Sequence, residues 1–207
     1  MALHTSPNCA ISSSSGALFN PTSQNCDANV DGNVGCSFKH NDNRSYGSGF
    51  NAAGGGVYAM EWNSAGISIW FWPRGAAPGD VLADRPNPGN WGAPAARWAG
   101  TGCDWDGKFR EHNLIFDTTF CGDWAGAVYG DCAGTGQTCQ AFVQNNPGAF
   151  RDAFWKVNAL KVYQDNGASL RGNLTATLAG RTTVHADIAA GQRSHARHLL
   201  SHAHMKH

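Results

Sequence analysis

Val57-Tyr58-Ala59-Met60-Glu61-Trp62, Asn63-Ser64-Ala65-Gly66 and Ile67-Ser68-Ile69-Trp70-Phe71-Trp72 follow one another without interruption. The first and third runs are rich in β-branched and aromatic residues, which fit a pleated surface. The four residues between them carry the Asn, Ser and Gly of a tight turn. The stretch predicts a hairpin. In its second strand Ile67, Ile69 and Phe71 share one face, and Ser68, Trp70 and Trp72 share the other. Large apolar groups on both faces are expected of a strand inside a two-layer sandwich.

Outward from the hairpin the signals are weaker. Residues 8–56 are rich in Ser, Asn, Gly and Cys and read as loops stapled by disulfides. Pro73 stops the second strand, and residues 74–102 read as a long Pro/Gly/Ala/Trp loop. Residues 109–120 read as a further strand region, 121–148 as a Cys/Gly loop, and 153–164 as the last strand. With 26 glycines and 8 tryptophans in 207 residues, the composition points to an all-β domain with tight turns and an aromatic-lined cleft.

Formal net charge is zero, which offers nothing to nucleic acid or to an anionic membrane, and no transmembrane run occurs. Seven cysteines at 9, 26, 36, 103, 121, 132 and 139 lack two C-x-x-C pairs. Disulfides in an oxidising compartment are the better reading than a zinc ribbon. Their connectivity is left open, and the odd number leaves one free or paired outside the chain. Asn43-Arg44-Ser45 and Asn173-Leu174-Thr175 are glycosylation acceptors that fit such a compartment. Met1 to Pro7 has neither the basic start nor the apolar stretch of a signal peptide.

Composition changes at Gln164. Residues 165–207 hold six of the nine histidines and five Lys/Arg against two Asp/Glu. His195, His198 and His202 would share a helical face. The expectation is a flexible or weakly helical basic tail of unassigned role, with no metal site assigned. Two regions result, a domain over 1–164 and the tail over 165–207.

Cys121-Gly122-Asp123-Trp124-Ala125-Gly126 sets a flat ring among small residues, as carbohydrate sites often do. Common catalytic signatures are absent: there is no G-x-S-x-G elbow, Walker loop or H-E-x-x-H. A retaining glycosidase holds two carboxyl groups about 5–5.5 Å apart. An E-x-D-x-E strand, or E-x-D-x-x-E with a bulge, supplies that spacing. The only two glutamates here, Glu61 and Glu111, are fifty positions apart. Asp104-Trp105-Asp106 reads as a turn in a Gly-rich loop.

Residues 3–164 resemble the C-terminal two-thirds of fungal glycoside hydrolase family 16 enzymes of the laminarinase type, endo-β-1,3(4)-glucanases. The ordered words that carry the resemblance begin with Leu3-His4-Thr5-Ser6-Pro7 with Cys9, Ser45-Tyr46-Gly47, and Phe50-Asn51-Ala52-Ala53-Gly54-Gly55-Gly56-Val57-Tyr58-Ala59-Met60. They continue through Gly66 to Gly75, Leu114-Ile115-Phe116-Asp117 with Cys121 to Gly126, and Leu160-Lys161-Val162-Tyr163.

The resemblance implies a concanavalin A-like β-jelly-roll sandwich that binds a β-glucan polysaccharide as a secreted monomer without a cofactor. In such enzymes the E-x-D-x-x-E strand lies shortly before the Leu-His-Thr strand. The expectation is therefore an N-terminally incomplete domain, with the nucleophile and acid/base absent. The full-length parent would be a retaining glycosidase, and this chain inactive alone.

Three substrate-binding residues carry over. His4 would bond a sugar hydroxyl or the carboxylate, Trp124 would stack on a sugar, and Asp123 would orient its loop or touch sugar. Their plain alternatives are a strand-end histidine, a core tryptophan and a loop cap. Trp70, Trp72 and Arg74 read as structural, and Glu61 and Glu111 as exposed charges. The rival readings are a catalytically dead glucan-binding module, a non-functional fragment, and an enzyme that transfers rather than hydrolyses.

Overall fold

The computed structural model describes residues 1–13, 16–130 and 136–163, with the backbone of 176–179. They fall into two compact units, 1–112 and 113–207.

In the first unit the hairpin forms where the sequence places it. β4 (Gly56–Asn63) pairs antiparallel with β5 (Gly66–Pro73) over eight residues, from Gly56 opposite Pro73 to Asn63 opposite Gly66. Asn63 Oδ1 accepts from the Ala65 amide and closes the turn. Gly66 has φ +138°, and a Cβ there would collide with the Trp98 carbonyl, so only glycine fits.

That collision partner belongs to a strand the sequence reading missed. β6 (Ala96–Ala99) pairs with the other edge of β5, inside the stretch read as loop. The alternation is present, with Ala96 and Trp98 buried and Arg97 exposed. Four residues, two of them alanine, are too short and too β-poor to stand out. A second sheet has the order β1-β3-β2, built from Ala2–Leu3 (β1), Pro21–Ser23 (β2) and Cys36–Phe38 (β3).

The core lies between these sheets. Phe38 and Cys36 of β3 pack with Ile67, Ala96 and Trp98 of the hairpin sheet, joined by Ile11, Trp105 and Phe109. Phe38 meets Trp98 edge to face at 5.3 Å, a favoured aromatic geometry. Trp70 and Trp72 occupy the opposite face of β5, each meeting Trp91 edge to face at 5.1 and 5.3 Å. β5 thus carries large apolar groups on both faces, as its sequence predicts.

Two disulfides staple the N-terminal loops. Cys9–Cys103 closes 94 residues and Cys26–Cys36 closes 10. Helical turns punctuate the loops: α1 (Gly47–Ala52), α2 (Gly79–Leu82) and α3 (Trp105–Lys108). Asp104 caps α3 by accepting from the Gly107 amide at 3.0 Å. Asp104-Trp105-Asp106 is therefore a capped turn around buried Trp105.

The second unit departs further from the sequence reading. Residues 113–120 belong to no paired strand. Leu114, Ile115, Phe116 and Phe120 are all exposed. An apolar run becomes a strand only where a neighbouring edge takes up its backbone hydrogen bonds, and none does so among the described residues. Helices stand in the stretch read as a Cys/Gly loop, among them α4 (Gly122–Ala127) and α5 (Cys139–Asn145). Thr138 caps α5, its hydroxyl accepting from the Ala141 amide.

The last predicted strand shrinks to β7 (Ala159–Val162), which pairs antiparallel with β8 (Ala176–Ala179). β8 is extended backbone inside the region read as tail. The rest of that region, including the shared face of His195, His198 and His202, lies outside the described residues, as does Cys132.

Candidate functional site

Cys121, with φ 61°, and Gly122, with φ 80°, turn the chain sharply into α4. A non-glycine residue in that region is held there by its surroundings. Here the anchor is covalent, since Cys121 is bonded to Cys139 at the start of α5. Both cysteines are buried.

The turn of helix that leaves this anchor presents Trp124. Its indole is 79% exposed, the highest value of any tryptophan described. Trp155, the next at 59%, is tied down, donating Nε1–H to the Asp117 carbonyl at 2.7 Å and packing edge-on against Phe116. Trp124 makes no such ring contact among the described residues. This exposure does not fit the core-packing alternative for Trp124. Asp123 sits beside it in the first turn of α4, exposed, and does not cap the helix.

His4 belongs to the first unit and is described there by itself. It is exposed at the end of β1, with Nδ1 2.8 Å from Asn33 Oδ1. An amide oxygen can only accept, so Nδ1 is the donor in this pair and Nε2 stays free for another partner. Gly35 leaves room for the ring, because a Cβ there would lie 2.8 Å from Nδ1. His4 is thus oriented by a partner 29 residues away.

The side chains read as structural have structural partners. Trp70 donates Nε1–H to the Gly92 carbonyl at 3.1 Å, and Trp91 donates to Asp80 Oδ2 at 2.8 Å. Arg74 donates Nε–H to the Gly54 carbonyl. Glu61 is half-buried on β4 opposite Ser68, rather than fully exposed as expected. Glu111 is exposed with φ 56°. Neither stands in an alternating carboxylate row.

One feature of the first unit has no counterpart in the sequence reading. A cavity of about 460 Å³ is lined by Met1, Thr22, Ser37, His40, Ser45 and Tyr58, among others. Thr22 and Ser37 hydroxyls are 2.7 Å apart at its wall. Burial pushes the His40 imidazole pKa down. These residues come from five separate segments and share no motif.

A family model for the XgeA-like catalytic domain of glycoside hydrolase family 16 matches residues 1–163. The chain belongs to glycoside hydrolase family 16. Among curated relatives, this family 16 chain is 40% identical over 171 residues to a probable endo-1,3(4)-β-glucanase of Aspergillus clavatus, covering 79% of the chain and 26% of the relative. It is 41% identical over 174 residues to an endo-1,3(4)-β-glucanase of Arthroderma benhamiae, covering 81% and 38%.

Among solved structures it superposes on laminarinase 16A of Phanerochaete chrysosporium with a TM-score of 0.64 and 42% identity, covering 74% of the chain and 53% of that protein. That structure holds 6-O-glucosyl-laminaritriose in donor and acceptor sites. An elongating family 16 β-1,3-glucosyltransferase gives a TM-score of 0.62 at 41% identity. The all-β jelly-roll class follows from these neighbours. The family 16 chain spans about a quarter to two-fifths of the curated relatives' length and about half of the solved ones.

Proposed function

We propose that this chain forms a sugar-binding wall of a secreted β-1,3(4)-glucanase, with Trp124 stacking on a glucosyl ring. The exposed indole of Trp124, on a turn pinned by Cys121–Cys139, carries the reading. A flat apolar face presented to water from an anchored backbone is what the axial C–H groups of a β-glucosyl ring pack against. Asp123 supplies an adjacent acceptor for sugar hydroxyls. Taken by itself on the first unit, His4 has Nε2 free for a sugar hydroxyl. The three disulfides support an oxidising, extracytoplasmic setting.

The chain does not hydrolyse glucan by itself. Retaining hydrolysis requires one carboxylate to attack the anomeric carbon and a second carboxyl group to protonate the leaving oxygen. Glu61 and Glu111 lie in unrelated settings, and Asp104 is occupied as a helix cap. Retention on insoluble β-1,3-glucan, compared with the Trp124→Ala variant, tests the binding. A reducing-sugar assay on laminarin and lichenan tests the inactivity. Turnover above a mock preparation would overturn the inactivity, and equal retention of both proteins would overturn the role of Trp124.

The likeness to a glucosyltransferase supports a second reading, in which the full-length relative of this chain elongates glucans. Products longer than the substrate would distinguish transfer from hydrolysis.

A further inference from the structure

Asn43-Arg44-Ser45 forms a short 3-10 turn in which two of the three residues are fully engaged. Arg44 grips Asp42 with Nε and Nη2 at 2.9 and 2.7 Å, and its amide donates to Asp42 Oδ1 at 2.9 Å. Ser45 is 4% exposed. Its hydroxyl donates to the Asp42 carbonyl at 2.7 Å, and its own carbonyl accepts from the Tyr58 hydroxyl. On the far side, a Cβ on Gly49 would collide with the Asn43 carbonyl, so the backbone is also covered there. The Asn43 side chain is the exception. It is exposed, and its amide makes no hydrogen bond among the described residues.

We infer that Asn43 is an N-glycosylation site and that the glycan is added before this turn folds. The inference rests on the secretory setting proposed above. The Asn43 Nδ2 would attack the anomeric carbon of an oligosaccharide carried on a lipid diphosphate. The C–N bond forms as the bond from that carbon to the diphosphate oxygen breaks, and an amide proton leaves with the diphosphate. No oxidant or reductant is involved. Transfer to an N-x-S acceptor requires the serine hydroxyl to be reachable. In the folded turn that hydroxyl is buried and already donates to the Asp42 carbonyl, so the acceptor is closed once the turn has folded. The finished fold leaves the Asn43 side chain exposed to solvent, where a glycan can extend.

The full chain, given a host secretion signal and expressed in a eukaryotic secretory host, tests this. Peptide mapping after enzymatic deglycosylation in heavy-oxygen water should find Asn43 converted to labelled Asp in most secreted molecules, and Asn43→Gln should remove that glycan. Secreted protein with all three disulfides formed and Asn43 unmodified overturns the site. The disulfide count in the same sample tests the oxidising setting separately, and glucan retention tests the binding reading.

A second arm offers a purified oligosaccharyltransferase and its lipid-linked donor to unglycosylated protein, either native or reduced and unfolded. The unfolded chain should be modified at Asn43 about tenfold faster or more, since only the open fraction of the native turn can react. Equal rates overturn the order of events.

Discussion

Trp98 donates its indole N–H to the carbonyl of Cys36 at 2.9 Å, across 62 residues of sequence. The bond runs from β6 in one sheet to β3 in the other, inside the core. Trp98 is also the largest of the side chains that are no more than 2% exposed. It ties the two layers of the first unit to each other by a hydrogen bond as well as by packing.

Trp98→Phe should keep most of the packing but leave the Cys36 carbonyl without its donor. A buried group left unpaired costs about 1–3 kcal/mol. Trp98→Ala should cost about 3–5 kcal/mol, because a cavity is added to the lost contacts. Urea midpoints of the two variants against the parent protein measure both, and a neutral Trp98→Phe would remove the bond from the account.

The two disulfides of the first unit should differ in weight. Chain-entropy arguments assign about 4.5 kcal/mol to a loop of about 94 residues and about 2.5–3 kcal/mol to one of about 10. Cys9→Ala/Cys103→Ala should therefore destabilise more than Cys26→Ala/Cys36→Ala under the same denaturant titration. All four cysteines are buried, so the packing loss is similar in both pairs. The reverse order would mean that packing, not loop closure, dominates.

Asp42 should make stability pH-dependent on the acid side. The Arg44 hydrogen bond holds its carboxylate at about 2, against an ordinary 3.8. The folded pKa is depressed, so the contribution is complete above 3.8 and is lost as pH falls through about 2. Asp42→Asn should have a lower melting temperature than the parent protein at neutral pH, with the gap closing over that window. Arg44 is exposed and Asp42 partly so, and the gap should also shrink in high salt. His40 acts in the same direction at higher pH. Burial lowers its pKa from 6.5, so protonation below that value favours the unfolded chain.

Trp124→Ala should separate binding from stability. A residue 79% exposed contributes little to the fold, and the midpoint should move by less than about 0.5 kcal/mol. Retention on β-1,3-glucan should nevertheless fall several-fold. A large loss of stability would return Trp124 to a packing role.

The hairpin was legible because three local signals agree over Val57–Trp72: β-rich runs, a turn with glycine at the required position, and large residues on both faces. The site was legible in part. Trp124 and Asp123 stand out as a short word after a cysteine, whereas their exposure depends on where the chain turns. The burial of Ser45 and the 460 Å³ cavity that it helps to line were not legible, because their residues meet only through folding.

The sequence by itself determined the family, the all-β class and the hairpin with its two-faced second strand. Each is written in residue order or in a period of two, and needs no distant partner. Tertiary structure alone decided which cysteines pair, that Ala96–Ala99 is a strand, and that residues 113–120 are not. A backbone segment becomes a strand only when another edge accepts its hydrogen bonds, and a thiol chooses its partner by where the fold delivers it. Both are properties of proximity, which a linear pattern does not contain.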